Sequence, residues 1–576
     1  MGKKFSRFFL WLMGLAFLAA IPYIGNLYFA GNEVKYGTAM NIFGKNEGGF
    51  FLLYALFGMV ALICFSMASG DFIPRTWKRL KVKIGGVRPG RVVVILAAAV
   101  FIAALLIRLL VVQQAPMTDD ENAYLFGARI MLKGQLYLEG YPPELRPFLG
   151  NQFVVMGDRV YTQYCPGFIL LLAVALKLGL VPILNPLMGA LGIIGTFLLV
   201  KEVSKSPWMG LGAAVLLTLS PTYIFTCSLL FANPSALVFG VFGLLHIYRA
   251  AGEAKFSSLA LGVGLMGFMF LIRPLSTAIL GLLGLFVILA ASQPIRKKLK
   301  MILLAGLIGA FFILLLLGYF ALLTGDPLKT TYAAYDESVG KTQPALGFRH
   351  FFSGNFLNLL TIPFLRYNFW LLGWPFSLIL IFALPRGKIR RYLFPAVLGI
   401  WLVHLMWKVV GVNITGAVHY FEMIPMLIAC VAAAIARLLA RREGFMVAGT
   451  MNFVVFSTLM ALTIYFPWVT HNLDQLAEEN LRPYRLEARV EKPAVILTKP
   501  FRSYRRNVSW TFYRVNNDIE LENDILWLNR VEDEDYTVLA EYFPGRHFYV
   551  LYYKRDHPLT MEGNYWLEEI RPGDSR

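Results

Sequence analysis

The chain has 576 residues, of which 57% are hydrophobic and 15% charged; soluble domains carry roughly 25% charged residues, so this composition excludes an ordinary soluble domain and points to a membrane protein. The formal net charge of +19 would suit a nucleic-acid binder, but most of the basic residues stand in short loops between apolar runs, where Lys and Arg hold loops on the cytoplasmic side. No nucleic-acid partner is expected. Cys64, Cys165, Cys227 and Cys430 lie in or beside apolar segments without metal-ligand spacing and read as small buried hydrophobes.

The first expected span, Phe8–Tyr28, follows Lys3, Lys4 and Arg7. It is longer than the roughly 7–15 residues of a secretory h-region and runs into Pro22–Tyr23 without a small-residue cleavage site, so it reads as a retained anchor. Further spans are expected at Phe50–Ala68, Val92–Val112, Asn185–Val200, Trp208–Tyr223, Ser235–Tyr248, Ser258–Ile272 and Pro274–Ala291. The remainder are Met301–Leu323, Asn368–Leu384, Leu393–Val410, Phe421–Ala436 and Phe445–Phe466. Basic residues recur in every second loop: Lys3–Arg7, Arg75–Arg91, Lys201–Lys205, Arg249–Lys255, Arg296–Lys300, Arg386–Arg391 and Arg437–Arg442. Placing all of these in the cytoplasm requires about thirteen spans, with the N-terminus inside and the C-terminus outside. Gly167–Leu180 is apolar too, but as a span it would invert every later loop, so it reads as a helix lying along or dipping into the outer surface.

Three outer regions are then large enough to hold a site: residues 113–181, residues 324–367 and the tail from Trp468 to Arg576. The tail is charged, rich in Tyr, Trp and Asn, and carries β-like runs at Ala494–Leu497 and Phe548–Tyr553. The fold class expected is therefore an all-α polytopic membrane protein with a small C-terminal extracytoplasmic α/β or α+β domain. Residues 1–90 form two extra N-terminal spans and a basic loop, 91–467 the membrane core, and 468–576 the soluble domain.

In the first outer region, Asp119, Asp120 and Glu121 open an amphipathic helix that ends at Gly134. Asp120, Tyr124 and Arg129 recur at roughly helical spacing, with Leu125, Ile130 and Met131 turned inward. Thr118 with Glu121 is a capping-box pattern, and acidic residues in a first turn favour the positive end of the helix dipole. That reading accounts for the spacing as well as a catalytic one does. It leaves unexplained the polar stretch Tyr137–Tyr164 and its end in Gln163-Tyr-Cys-Pro-Gly167.

An Asp-Glu pair just outside an early span, then Tyr124, then Tyr164-Cys-Pro-Gly167 leading into an apolar helix, resembles the GT-C superfamily of membrane glycosyltransferases. The nearest likeness is to the branch of protein O-mannosyltransferases and aminoarabinose transferases. It covers about Arg108 to Phe466 and includes Leu271-Ile-Arg-Pro-Leu275, Thr324-Gly-Asp-Pro327, Asn368-Phe-Trp-Leu-Leu-Gly-Trp-Pro375 and His419-Tyr-Phe-Glu-Met-Ile-Pro425. The resemblance implies a GT-C-like core and an inverting transfer from a polyprenyl-phosphate sugar, the donor substrate, to an acceptor hydroxyl on the outer face of a bacterial cytoplasmic membrane. The acceptor would be protein, lipid or polysaccharide. Asp120 matches the family's Asp and would be the general base, with Glu121 second and Asp119 serving the helix end.

Phosphate leaving groups need cations or fixed dipoles, and Arg108, Arg273, Arg366 and Lys408 fall near outer span ends, with His419 and Tyr420 in the last short outer loop. Each could equally snorkel to headgroups or pair with a carboxylate; Arg273 stands out by its Arg-Pro match. His419 replaces the Arg of many relatives, Cys165 a second Pro and Gln163 a Lys, which are departures from the pattern. Tyr124, Tyr164, Arg349 and His350 are candidates for the donor or acceptor loop, although Arg349-His350 and Tyr332-Ala-Ala-Tyr335 read best as an ordinary solvated loop. No cofactor is required by the sequence, which shows no Asp-x-Asp or paired His ligands; a divalent metal is left open. A secondary transporter or lipid flippase is the alternative reading and a non-catalytic scaffold a third, but neither internal repeats nor midplane polar residues are evident. An alkaline phosphatase fused after Arg576, active only outside the cytoplasm, is expected to be active, and one placed in the Arg296–Lys300 loop inactive. The reverse pattern would invert the topology.

Overall fold

The computed structural model describes residues 2–31, 47–70, 72–84, 86–341, 367, 371–372, 377–406, 412–413, 415–441, 443–498, 501–502, 509–510, 517–531, 536–553 and 565–571. Arg349, His350, Arg366 and Lys408 lie outside the described residues.

The described chain is mostly helical, and proline sets where many helices begin. Pro89–Leu106, Pro166–Lys177, Pro207–Thr218, Pro221–Ser228, Asn233–Glu253, Pro274–Ala290 and Ile424–Leu439 each carry proline in the first turn, where its fixed φ suits the helix and its missing N–H is not needed. Among the described residues, six helices are long and apolar enough to cross a bilayer, or seven if one bent pair counts as a span; five more apolar helices are shorter. The chain is thus an integral membrane protein. The helix Ile295–Thr324 makes the physical point: Leu303, Leu307, Phe311 and Leu314 along it are all exposed, a surface suited to lipid and hazardous in water. At the other extreme, every residue from Ile424 to Ile435 of the helix Ile424–Leu439 is buried, so this part of it lies within the bundle.

The structure departs from the sequence reading in three places. The single span expected over Trp208–Tyr223 is instead two helices, Pro207–Thr218 and Pro221–Ser228, bent by 64°. Pro221 removes a backbone donor and pushes Ser220 out of the helical region, to φ −80, ψ 112, which breaks the ladder there. The span expected to end at Phe466 passes through a π turn at Ala461–Tyr465 and continues as Phe466–Leu481, so the proposed boundary at Trp468 falls inside a helix. The stretch Tyr137–Tyr164, read as a polar loop, holds an antiparallel three-stranded sheet of Leu138–Glu139, Val154–Met156 and Arg159–Thr162 with the last in the middle.

The helix Pro166–Lys177 has 12 residues, about 18 Å at 1.5 Å per residue and too short to cross about 30 Å of hydrocarbon. Its N-terminus is fixed by a close approach. The Gly167 N–H donates to the Leu271 carbonyl at 2.8 Å, and a Cβ on Gly167 would stand 2.8 Å from that oxygen and 2.7 Å from Ile272. Only glycine lets this strand-to-helix turn lie against the turn that carries Arg273.

Beyond Pro483–Arg489, a four-stranded sheet runs in the order Tyr565–Ile570, His547–Tyr553, Ala494–Thr498, Ile525–Asn529, with the inner pairs parallel and the first pair antiparallel. Val495, Leu497, Leu526 and Leu528 on one face pack with Leu145, Phe148 and Leu149 of the first long loop. The opposite face buries Trp527, whose Nε1–H donates to Glu487 at 2.6 Å. Overpacking a close backbone approach costs about 1–3 kcal/mol, so Gly167→Val is expected to lower the thermal unfolding temperature in detergent. Gly212→Ala, with nothing within 4 Å of its new Cβ, is expected to leave it unchanged.

Candidate active site

The site is built where an apolar helix meets a short acidic one. The helix Pro89–Leu106 loosens into a π turn at Ile107–Val111, followed by Gln113 and Gln114 in the left-handed region at φ 50 and 62. This sharp exit turns the chain back over the end of the helix. Arg108 binds the returning backbone, with Nη2 donating to the Gln114 carbonyl at 2.7 Å and Nη1 to the Ala115 carbonyl at 3.1 Å. Asn480 clamps the next residue through the Pro116 carbonyl at 2.9 Å.

The helix Asp119–Leu132 then begins with the expected cap. Thr118 Oγ1 accepts from the Glu121 N–H at 3.3 Å, and Glu121 Oε1 accepts from the Met117 N–H at 3.2 Å. Glu121 does more than cap, because Oε2 also accepts the Leu230 N–H at 3.1 Å and lies 3.8 Å from Arg108 Nη1. Both side chains are almost fully buried, at 0% and 2% exposure. Burial pushes the Glu121 carboxyl up to about 7, against the pull of Arg108 and the two backbone donors. Folding therefore takes up a proton on Glu121 between its ordinary 4.5 and about 7, and its contribution to stability falls as pH rises through that window. Asp119 is buried as well.

Asp120 faces another way. Its Oδ1 accepts the Tyr164 hydroxyl, and Tyr164 is wedged by Tyr124 at 4.3 Å between ring centroids, by Tyr332 at 5.7 Å and by Phe153 at 6.0 Å. The Tyr164 backbone is fixed from the second long loop: Tyr319 donates to its carbonyl at 3.2 Å, and Thr331 to that of Gln163 at 2.6 Å. Burial raises the Asp120 carboxyl above the ordinary carboxylate range; the Tyr164 hydrogen bond and the Arg273 charge pull it back.

Arg273 leaves the helix Phe256–Phe270 and caps Pro274–Ala290. Its Nε stands 3.3 Å from Glu422 Oε1, and the side chain keeps 20% exposure. The arginine charge reaches Asp120, Tyr124 and Tyr332 as well as Glu422. His419 and Tyr420 sit next to Glu422 on the turn Val418–Met423, and His404 lies 6.1 Å from the His419 ring and 5.2 Å from that of Tyr420.

The structure thus brings together Asp120, Tyr124, Tyr164 and Arg273, with His419 and Tyr420 on the turn that carries Arg273's partner. It does not give Arg108 the role foreseen for it: that cation is committed to loop carbonyls and Glu121, so it organises the acidic helix. Glu121 is held by the same contacts. Tyr332, read in the sequence as part of a solvated loop, instead packs on Tyr164, and sequence reasoning passed over Glu422, His404, Asn233 and Ser276. A glutamate inside the apolar run Phe421–Ala436 was a usable signal for the first of these, because ionisable groups at such depth rarely lack a partner. Among the described residues, one group of carboxylates has ligand-like spacing, Asp518, Glu520 and Glu522; Lys133 occupies Glu520 at 2.5 Å, and the group is remote in sequence from the Asp120 cluster.

No protein-family model and no curated protein matches the chain. Among solved structures it is similar to ArnT from Cupriavidus metallidurans bound to undecaprenyl phosphate, at 12% identity over 81% of this chain and 93% of that one, with a TM-score of 0.48. It is also similar to the archaeal oligosaccharyltransferase AglB from Archaeoglobus fulgidus in complex with an inhibitory peptide and a dolichol-phosphate, at 13% identity over 79% of this chain and 69% of that one, with a TM-score of 0.42. Both are GT-C superfamily members.

An ionised Asp120 is required of a base. Any reaction it serves is therefore expected to rise with pH through a carboxylate limb lying above the ordinary value of about 4. A hydrogen bond to a charged group is worth about 1.5–3 kcal/mol. Tyr164→Phe, which removes a bond favouring the ionised form, is expected to move that limb upward by about one pH unit or more. A downward shift in the kcat/KM profile would exclude this role for Tyr164.

Proposed function

We propose that the chain is a membrane glycosyltransferase of the GT-C kind, moving a sugar from a polyprenyl-phosphate donor to an acceptor hydroxyl with inversion. The observation that carries the reading is the placement of Asp120 within the field of Arg273. A partly buried carboxylate bonded to the Tyr164 hydroxyl lies within the field of a partly exposed guanidinium, at one end of an apolar helical bundle. These are the two charges such a transfer uses, one for the proton and one for the phosphate.

The chemistry balances on those groups. Asp120 takes the proton of the acceptor hydroxyl as the acceptor oxygen bonds to C1 of the sugar. The bond from C1 to the phosphate oxygen breaks, and its electron pair leaves with the polyprenyl phosphate. Arg273 offsets the charge that develops on that oxygen, in a site where water is largely excluded and such donors act strongly. Tyr164 and Tyr124 pack against one another beside the carboxylate and hold it in place. No step of this scheme draws on a metal or other cofactor.

Positioned general bases contribute typically 10²–10⁴-fold. Asp120→Asn is therefore expected to lower transfer of radiolabelled sugar from a polyprenyl-phosphate donor by about that factor, with the protein still folded and donor binding retained. Arg273→Ala is expected to raise the donor KM while leaving the acceptor KM unchanged. An Asp120→Asn enzyme with full activity would remove the base from this scheme.

A further inference from the structure

Glu422 is the one carboxylate held inside the buried helix turn that follows residue 417, and its contacts specify what it does. It is 1% exposed, and groups from two other helices converge on it. Oε1 accepts Asn233 Nδ2 at 3.1 Å, from the first turn of Asn233–Glu253, and lies 3.3 Å from Arg273 Nε. Oε2 accepts Ser276 Oγ at 3.1 Å, from the first turn of Pro274–Ala290. Asn233 is itself tethered, since its Nδ2 also donates to the Val418 carbonyl at 2.7 Å. The carboxylate therefore has one available geometry, imposed by its own helix and two others.

A buried ion pair is a poor stabiliser, because desolvation offsets most of the Coulomb gain and apolar residues of similar volume often serve packing as well. What such a pair supplies here is direction. Glu422 meets the guanidinium at its Nε edge, which limits how the plane of the group can turn. Arginine recognises a phosphate through a planar fork of two parallel N–H bonds, so a fixed plane decides whether that fork meets the leaving oxygen. The Arg273 charge also reaches Asp120, Tyr124 and Tyr332. Arg273 is thus the cation whose charge both the locked carboxylate and the candidate base feel.

We infer that Glu422, fixed by Asn233 and Ser276, is a positioning residue that holds the Arg273 guanidinium for the donor phosphate; this rests on the glycosyltransferase reading above. An opposite role is conceivable for a carboxylate at this spot. If Glu422 only damped the positive charge, its removal would tighten the binding of an anion. The two roles therefore predict effects of opposite sign.

The test is equilibrium binding of undecaprenyl phosphate to the purified full-length chain, with donor and acceptor KM measured alongside. Glu422→Gln is expected to weaken binding by about tenfold or more and to raise the donor KM, with the acceptor KM unchanged, as losing one partner of a buried charge pair does at interfaces. Because Glu422 acts through Arg273, Glu422→Gln combined with Arg273→Gln is expected to bind no more weakly than Arg273→Gln alone. Ser276→Ala, a milder change, is expected to weaken binding by about threefold, in line with one hydrogen bond. Glu202→Gln, which loses an ion pair to Lys205 and Arg249 near the end of another helix, is expected to bind as the unaltered protein does. Unchanged or tighter binding by Glu422→Gln and Ser276→Ala, or additive losses in the double variant, would overturn the inference while leaving the transferase reading in place. Failure of the unaltered, folded protein to bind undecaprenyl phosphate would instead overturn the reading itself.

Discussion

A charge can be kept at the end of an apolar helical bundle only if something pairs with it, and two ion pairs satisfy that constraint here. Arg108 with Glu121 closes the exit from one helix and sets the start of the acidic helix. Arg273 with Glu422 joins the turn between two helices to a third. The first pair is almost wholly buried and spends its hydrogen-bonding capacity on the backbone. The second leaves its arginine partly exposed. That difference separates a structural cation from one able to receive a ligand, although both stand at helix ends and look alike in the sequence.

Asp120 adjoins the first pair in sequence and feels the charge of the second. Its helix is aimed by the Arg108 network at one end and, at the other, by Arg129, which donates to the Asn517 carbonyl at 2.8 Å. Asn517 is in turn bound on both sides of Trp527 in the C-terminal sheet, at 2.8 and 2.9 Å. The C-terminal sheet also meets the first long loop, through Tyr141 on the Ile519 carbonyl at 2.7 Å and Asn529 on those of Pro147 and Gly150. Residues 517–529 therefore brace the loop that carries the carboxylate. A base has to sit within hydrogen-bond reach of the proton it abstracts, and such bracing is how a surface loop attains that precision.

What could be read from the sequence was chemistry that announces itself by composition and order. Apolar runs declare spans, the triple Asp119-Asp120-Glu121 declares an acidic helix start, and Gly167 and Arg273 stand in recognisable surroundings. The structure then joined them through the Gly167–Leu271 contact, which no pattern of spacing could supply. The sheet within residues 137–164 was illegible because its strands are two to four residues long, too short for alternation to register. The division of labour between Arg108 and Arg273 was equally hidden: it depends on where the chain turns after the helix, and on Glu422, whose partners come from distant positions. Tyr332 was misjudged because a tyrosine in a polar loop gives no sign of the ring it will cover.

The account stands or falls on where a lipid phosphate comes to rest. The direct measurement is an electron cryomicroscopy structure of the full-length protein in lipid nanodiscs containing undecaprenyl phosphate. The account predicts phosphate density within hydrogen-bond reach, about 3 Å, of the Arg273 guanidinium, on the side facing Asp120 and with the Glu422 contact intact. Phosphate bound away from Arg273, with Asp120 facing no part of the ligand, would contradict it.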